Sequence, residues 1–316
     1  MKDEKFPGDN GLERGVRSNR RLHISAGQCP SVVERIAAFA VTPRVSVSPI
    51  EFARNFRPRV IRHVLMDWDG TTSLSRGGWA DIMAVLYAEH LPKFAGENDA
   101  VRHEFARAEL MTLNGKPSIH QMAHLADIVE RRGGTPETAE EYHDEFQRRL
   151  GEAVRARLDR VRGEPPGTDS LLVRGVRALF ETLRARGITL TLATGSVLHE
   201  VRHEAELLDV ARYFDAMHGP HSLDDRVFSK GAIIASLLRE RGVDGAALLA
   251  FGDGPVEIRE TKAVGGIAIA VASDEDNHGS GRMDPAKREM LLAAGADGVI
   301  ADFHSAKEIV EALIAP

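Results

Sequence analysis

At 316 residues, 43% hydrophobic and 28% charged, the chain can bury one large core or two moderate ones and has an ordinary globular composition. Its net charge of -6 argues against a dedicated nucleic-acid binder, and its single cysteine, Cys29, excludes an internal disulfide and fits a reducing compartment. No apolar run approaches the ~18 residues of a membrane span and the N-terminal stretch lacks a secretory apolar core, so a cytoplasmic protein is expected.

Residues 1–55 read as an N-terminal extension: they are polar, without a clear period, and hold only a short apolar patch at 36–41. A buried strand is predicted over 60–66. Residues 76–168 then show no strand pattern, only helical periodicity over 80–90, 101–113, 119–132 and 136–162. Gly77-Gly78 and Pro165-Pro166-Gly167 punctuate the two ends of this block. Beyond it, apolar runs at 188–193, 246–251, 266–272 and 298–301 read as strands. They alternate with amphipathic helices predicted over 172–186, 197–208, 230–241, 256–264 and 285–294. That alternation implies an α/β fold with a parallel sheet. The expected organisation is a core of residues 56–75 and 169–316 with a helical insert, 76–168, after the first strand.

The first strand ends in "HVLMDWDGTT", residues 63–72, where Asp67 and Asp69 stand one residue apart. Two such acids repel each other unless a cation or a ligand compensates them. Ligands of parallel sheets gather at the carboxyl ends of the strands, so the other strand ends are the places to find partners. The second strand ends in Thr194, Gly195 and Ser196, which offer hydroxyls and backbone N–H groups at a helix start. The strand predicted over 246–251 ends in Asp253 with Glu257 one turn on, and Lys230 opens a helix in "VFSKGAI". Hard carboxylate oxygens from Asp67, Asp69 and Asp253 suit Mg²⁺, with Asp69 able to contribute through its backbone carbonyl. The metal and Lys230 together would neutralise a bound phosphate.

Each position also has a purely structural reading. Asp-Gly is a common turn pair, Thr194 can be a helix N-cap, Lys230 a solvated helix residue and Asp253 a turn acid. Glu257 can be a first-turn acid favoured by the helix dipole. A rival chemical motif is "HEVRH", His199 to His203, which matches the zinc metallopeptidase pattern and would place His199, Glu200 and His203 on one helical face. With 13 histidines in the chain and no third ligand standing out downstream, a chance match is the simpler reading. No P-loop pattern is present. The turn in "LNGKPSIHQM" gives the insert a polar tip of Lys116, Ser118, His120 and Gln121.

Taken in order, "DWDGT", "ATGS", "SKG" and "GDGPVE" resemble the four motifs of the haloacid dehalogenase superfamily. The helical insert resembles the C1 cap of its phosphoglycolate phosphatase-like branch. The resemblance runs from about residue 60 to the end of the chain. It implies a Rossmann-like core and an aspartyl-phosphate mechanism with Asp67 as nucleophile and Asp69 as general acid, then base. Thr194 would bind the transferring phosphoryl group, Lys230 would steady nucleophile and phosphate, and Asp253 would bind Mg²⁺. Glu257 stands at a metal-binding place where the family more often has Asp, and its longer arm would reach the metal through water. Gly70, Thr71, Gly195, Ser196 and, on the cap, Lys116 are the expected substrate contacts. The acid at 69 separates phosphatases from dehalogenases and phosphonatases, which lack it.

The expected function is Mg²⁺-dependent hydrolysis of a small phosphorylated metabolite, a sugar phosphate or a nucleoside monophosphate, without nucleic-acid or membrane partners. A sugar phosphomutase would use the same site. The zinc peptidase is the alternative from another class.

Overall fold

The computed structural model describes residues 48–53, 56–113, 117–164, 169–222, 228–275, 277 and 279–315. Seven strands form one sheet: β1 (Glu51–Phe52), β2 (His63–Met66), β3 (Thr189–Ala193), β4 (Ala216–His218), β5 (Leu248–Gly252), β6 (Ile267–Val271) and β7 (Gly298–Ile300). Their spatial order is β1-β7-β6-β5-β2-β3-β4, and every pairing is parallel except β1 with β7. The strand carrying the acid pair, β2, lies inside the sheet between β5 and β3. Its four residues are all buried, as are the five of β5 and of β6. Helices on both faces remove the hydrophobic alternation a half-exposed strand would show.

Successive side chains of these strands still point to opposite faces. Val64, Met66, Leu249, Phe251 and Ile269 share a core with Phe180, Val201 and Val310. These three come from α5 (Val176–Ala185), α6 (Leu198–Leu207) and α10 (Ala306–Leu313). On the other face Leu65 and Ala250 meet Ile234 of α7 (Lys230–Arg241). Ala268 and Ala270 there meet Ile258 of α8 (Pro255–Ala263) and Leu291 of α9 (Pro285–Ala293).

Between β2 and β3 lie α1 (Trp79–His90), α2 (Asp99–Met111), α3 (Ser118–Arg131) and α4 (Ala139–Val161). They bury a second core of their own around Met83, Tyr87, Leu110, Met122, Leu125 and Phe146. In α4 the buried residues Tyr142, Phe146, Leu150, Val154 and Leu158 recur every four positions, a single apolar stripe. Thr138 caps α4: its side chain accepts from the Glu141 N–H while the Glu141 carboxylate accepts from the Thr138 N–H.

Several boundaries differ from those predicted. The helix expected from 172 begins at Val176, because Gly175 adopts φ 81 before it. The strand expected from 246 begins at Leu248, because residues 245–247 form a 3₁₀ turn capped by Asp244. Two strands and one helix were not predicted: β1 and β4, too short for an apolar run, and α10. Glu51 and Phe52, inside the segment read as an extension, are the antiparallel edge of the sheet.

Candidate active site

The acid pair sits on a turn that is fully folded back on itself. After β2, the Asp67 N–H donates to the Phe251 carbonyl at 3.1 Å, continuing the β2–β5 ladder. The Thr72 and Ser73 N–H groups both donate to the Trp68 carbonyl at 2.8 Å, and the Thr72 hydroxyl donates to the Asp67 carbonyl at 2.6 Å. Thr71, Thr72, Ser73 and Ser75 are all fully buried, so the turn is held by its own small polar residues. Gly70 has φ 68, and a side chain there would run into the Asp253 carboxylate.

Neighbouring strand ends bring the other charges to the turn. Lys230, the first residue of α7, sets its ammonium 2.8 Å from Asp67 and 3.2 Å from Glu257. Asp253 follows β5 directly, and Glu257 lies in the first turn of α8, where its carboxylate also accepts from the Gly254 N–H at 2.6 Å. Lys287 of α9 reaches back to Asp253 at 2.9 Å and also pairs with Glu275. A cavity of about 260 Å³ opens here, lined among others by Asp67, Asp69, Gly70, Gly195, Lys230 and Asp253.

Burial dominates the electrostatics. It pushes the Asp67 carboxyl well above the usual range; Lys230 pulls it back, and Glu257 and Asp253 push it up further. Burial likewise pushes Asp253 up to about 6, with Lys287 pulling down and Glu257 and Glu275 pushing up. For Lys230 burial acts downward, but the two carboxylates it pairs with outweigh it and hold the ammonium above an ordinary lysine. Asp67, Asp253 and Glu257 each present a carboxylate oxygen within 4.8 Å of the others, the only such trio among the described residues. Three hard, crowded, mutually repelling oxygens fit a divalent cation such as Mg²⁺, which would favour the carboxylate forms of Asp67 and Asp253.

Asp69 faces the other way. The Ser196 hydroxyl donates to one of its oxygens at 2.6 Å and Arg76 donates to the other at 3.3 Å. Its side chain therefore marks the border with a second cavity of about 320 Å³. That cavity runs beneath α1, α3 and α4, with Trp79, Met83, Phe146 and Leu150 on its apolar wall, Ser118, Gln121 and Gln147 among its neutral polar groups, and Asp69, Arg76 and Glu200 as its charged ones among the described residues. A third cavity, about 310 Å³, continues along α4 and α6 past His199, Glu200 and His203.

Most of the residues singled out from sequence meet here. Gly195 and Ser196 line the cavities, whereas Thr194 is fully buried behind them, its hydroxyl accepting from the Ser196 N–H at 3.0 Å. Thr71 is buried, and its hydroxyl has no hydrogen-bond partner among the described residues. Ser118 and Gln121 from the expected polar tip reach the second cavity, and His120 is exposed; Lys116 lies outside the described residues. His199 and His203 join no group of three metal-ligating side chains among the described residues. Glu200 of the same motif is paired with Arg76 at 3.2 Å instead. Sequence reasoning missed Arg76, Glu204, Glu275 and Lys287, although Glu200 and Glu204 stand four apart, a spacing that marks one helical face.

The family profile of haloacid dehalogenase-like hydrolases matches residues 61–265 of the chain, about two thirds of it. A phosphoglycolate phosphatase of Escherichia coli O157:H7 is 28% identical over 207 residues, covering 65% of this chain and 79% of that protein. Among solved structures, a predicted phosphoglycolate phosphatase from Haemophilus somnus superposes with a TM-score of 0.53 at 17% identity, over 79% of this chain and 98% of that one. A putative beta-phosphoglucomutase from Thermotoga maritima gives 0.51 at 19% identity, over 79% and 99%. At these identities the structural likeness speaks for the fold.

Proposed function

The chain belongs to the haloacid dehalogenase-like hydrolases, and from that membership we propose that it is a Mg²⁺-dependent phosphomonoesterase of a small phosphorylated metabolite. The observation that carries this reading is the division of labour between two acids of one turn. Asp67 points at Lys230 and the buried acids, while Asp69 is turned by Ser196 and Arg76 toward the second cavity.

With phosphate in the first cavity and the esterified alcohol in the second, the reaction balances on these residues. A carboxylate oxygen of Asp67 attacks phosphorus as the bond to the alcohol oxygen breaks. The departing oxygen takes the proton of the Asp69 carboxyl and leaves as a neutral alcohol. Water then attacks the aspartyl phosphate, giving up one proton to the Asp69 carboxylate. Phosphate departs, and both acids return to their starting forms. Lys230 stays charged throughout and orients Asp67 through the 2.8 Å contact. The Gly195 and Ser196 backbone, at the start of α6, supports binding of the phosphoryl oxygens. Asp67, Asp253 and Glu257, with the Asp69 backbone carbonyl, would hold Mg²⁺, which when bound supplies positive charge against the phosphoryl oxygens.

Helices α1–α4 then serve as a cap over the alcohol. Their wall of Trp79, Met83 and Phe146 beside Ser118, Gln121 and Gln147 suits a ring with hydroxyls, a sugar phosphate or a nucleoside monophosphate. The test is a panel of phosphorylated metabolites with Mg²⁺, read by phosphate release. Turnover of several such esters is expected, and no release from any of them would overturn the reading. A phosphomutase would use the same groups; added sugar bisphosphate with isomerised product would reveal it.

A further inference from the structure

Helix α6 carries a carboxylate that the mechanism above does not use. Glu204 is 2% exposed, among the most buried acids of the structure. A buried charge persists only where donors surround it. Three surround Glu204, and all come from the turn that bears the two acids. Trp68, the residue between Asp67 and Asp69, donates its indole N–H at 3.0 Å. The Ser75 hydroxyl donates at 2.7 Å. The Arg76 guanidinium lies 2.8 Å away.

The same guanidinium nitrogen that meets Glu204 also faces Asp69 at 3.3 Å, and the neighbouring nitrogen pairs with Glu200 at 3.2 Å. Arg76 is thus spread over three carboxylates, with its side chain only 13% exposed. Asp69 is 34% exposed, and a long arginine would not by itself hold so open an acid in one place. Glu204 removes that freedom. It fixes the guanidinium from behind and clamps the turn at Trp68 and Ser75, before and after the general acid. The glutamate of the zinc-like motif completes the clamp, since Glu200 and Glu204 stand one helical turn apart.

We propose that Glu204 is a positioning residue for proton transfer, holding Arg76 so that Asp69 faces the esterified oxygen of the substrate. This rests on the phosphomonoesterase reading, in which Asp69 protonates the departing alcohol. A misplaced acid matters most when that alcohol is a poor leaving group and little when it leaves unaided. A merely structural glutamate would slow all esters alike.

The test compares wild type and Glu204→Gln, full-length with Mg²⁺, on dinitrophenyl, p-nitrophenyl and phenyl phosphate. The amide keeps the shape but loses the charge and turns a donor toward one of its former donors. The expected result is a loss in kcat/KM of about 10- to 100-fold on phenyl phosphate and under about threefold on dinitrophenyl phosphate. Arg76→Met should repeat this selectivity, and the double variant should lose no more than the worse single one. If Glu204→Gln does not fold, Arg76→Met alone must still show the selective loss. Equal losses across the series, no loss, or additive losses would overturn the proposal. A wild type that hydrolyses none of the three esters would sink the phosphatase reading itself, which a flat mutant response would not.

Discussion

The two adjoining cavities at the strand ends are built on opposite principles. The one at Asp67 is walled by charge, with Lys230 and Arg76 set among Asp67, Asp69, Asp253, Glu257 and Glu275. The one under α1, α3 and α4 is walled largely by aromatic, aliphatic and amide side chains, and its charged residues among those described, Asp69, Arg76 and Glu200, are paired with one another. The first arrangement suits a group whose charge is known in advance, and the sheet holds it rigidly. The second suits a neutral group of variable shape, presented by helices with a core of their own. On the proposed function, chemistry belongs to the first cavity and choice to the second, so mutations should pull them apart.

The largest effect is expected at the centre of the charged cavity. Asp67→Asn keeps the shape of the side chain but removes the nucleophile, and should cut kcat by more than about 10³-fold on every ester, with the thermal unfolding curve showing an intact fold. Retention of even a tenth of the wild-type rate would defeat the covalent mechanism. Next comes Asp253→Ala, which removes one of three convergent oxygens. The Mg²⁺ concentration giving half-maximal activity should rise by at least the ~10- to 100-fold that loss of an outer-shell partner costs. An unmoved titration curve would take Asp253 out of the metal site.

A smaller and more selective effect belongs to the second cavity. Gln147→Leu keeps the volume of the side chain but loses the amide. It should lower kcat/KM on a hexose phosphate by about tenfold, ~1.4 kcal/mol, while acetyl phosphate, which has no ring to place there, is hydrolysed as before. Equal losses on both would erase the distinction between the cavities. The smallest effect is expected from His199→Ala with His203→Ala, whose side chains are exposed on α6. Phosphatase activity should stay within about threefold of wild type, as usual for surface substitutions; a total loss with the fold retained would give those histidines a role.

Much of this was legible in the sequence because it is local. The run ending in Asp67 and Asp69 is a strand end by pattern, and Lys230 does open α7 as its position after Ser229 suggests. The helices of the insert followed from their apolar periods, and the order of the four motifs pointed to the fold. What stayed hidden depends on tertiary neighbours. Arg76 and Glu204 are 128 residues apart, and Lys287 and Asp253 are 34 apart, so no spacing rule joins them. Strand β4 has three half-buried residues and β1 only two, too few to set up a period. The site's second tier of charge was invisible for the same reason: an arginine or glutamate acquires its meaning only from what the fold sets beside it.

The shortness of those same two strands has a bearing on behaviour at high concentration. A long open edge is a template on which other chains add strand by strand. Here one edge is the two-residue antiparallel β1 and the other the three-residue β4, while the long, wholly apolar strands β5 and β6 lie inside. Among the described residues the sheet thus ends on both sides in stubs too short to nucleate fibril-like growth. Colloidal stability on concentration or mild heating should depend on whether this trim survives, so lengthening β4 into a regular strand is the change most apt to make the protein aggregate.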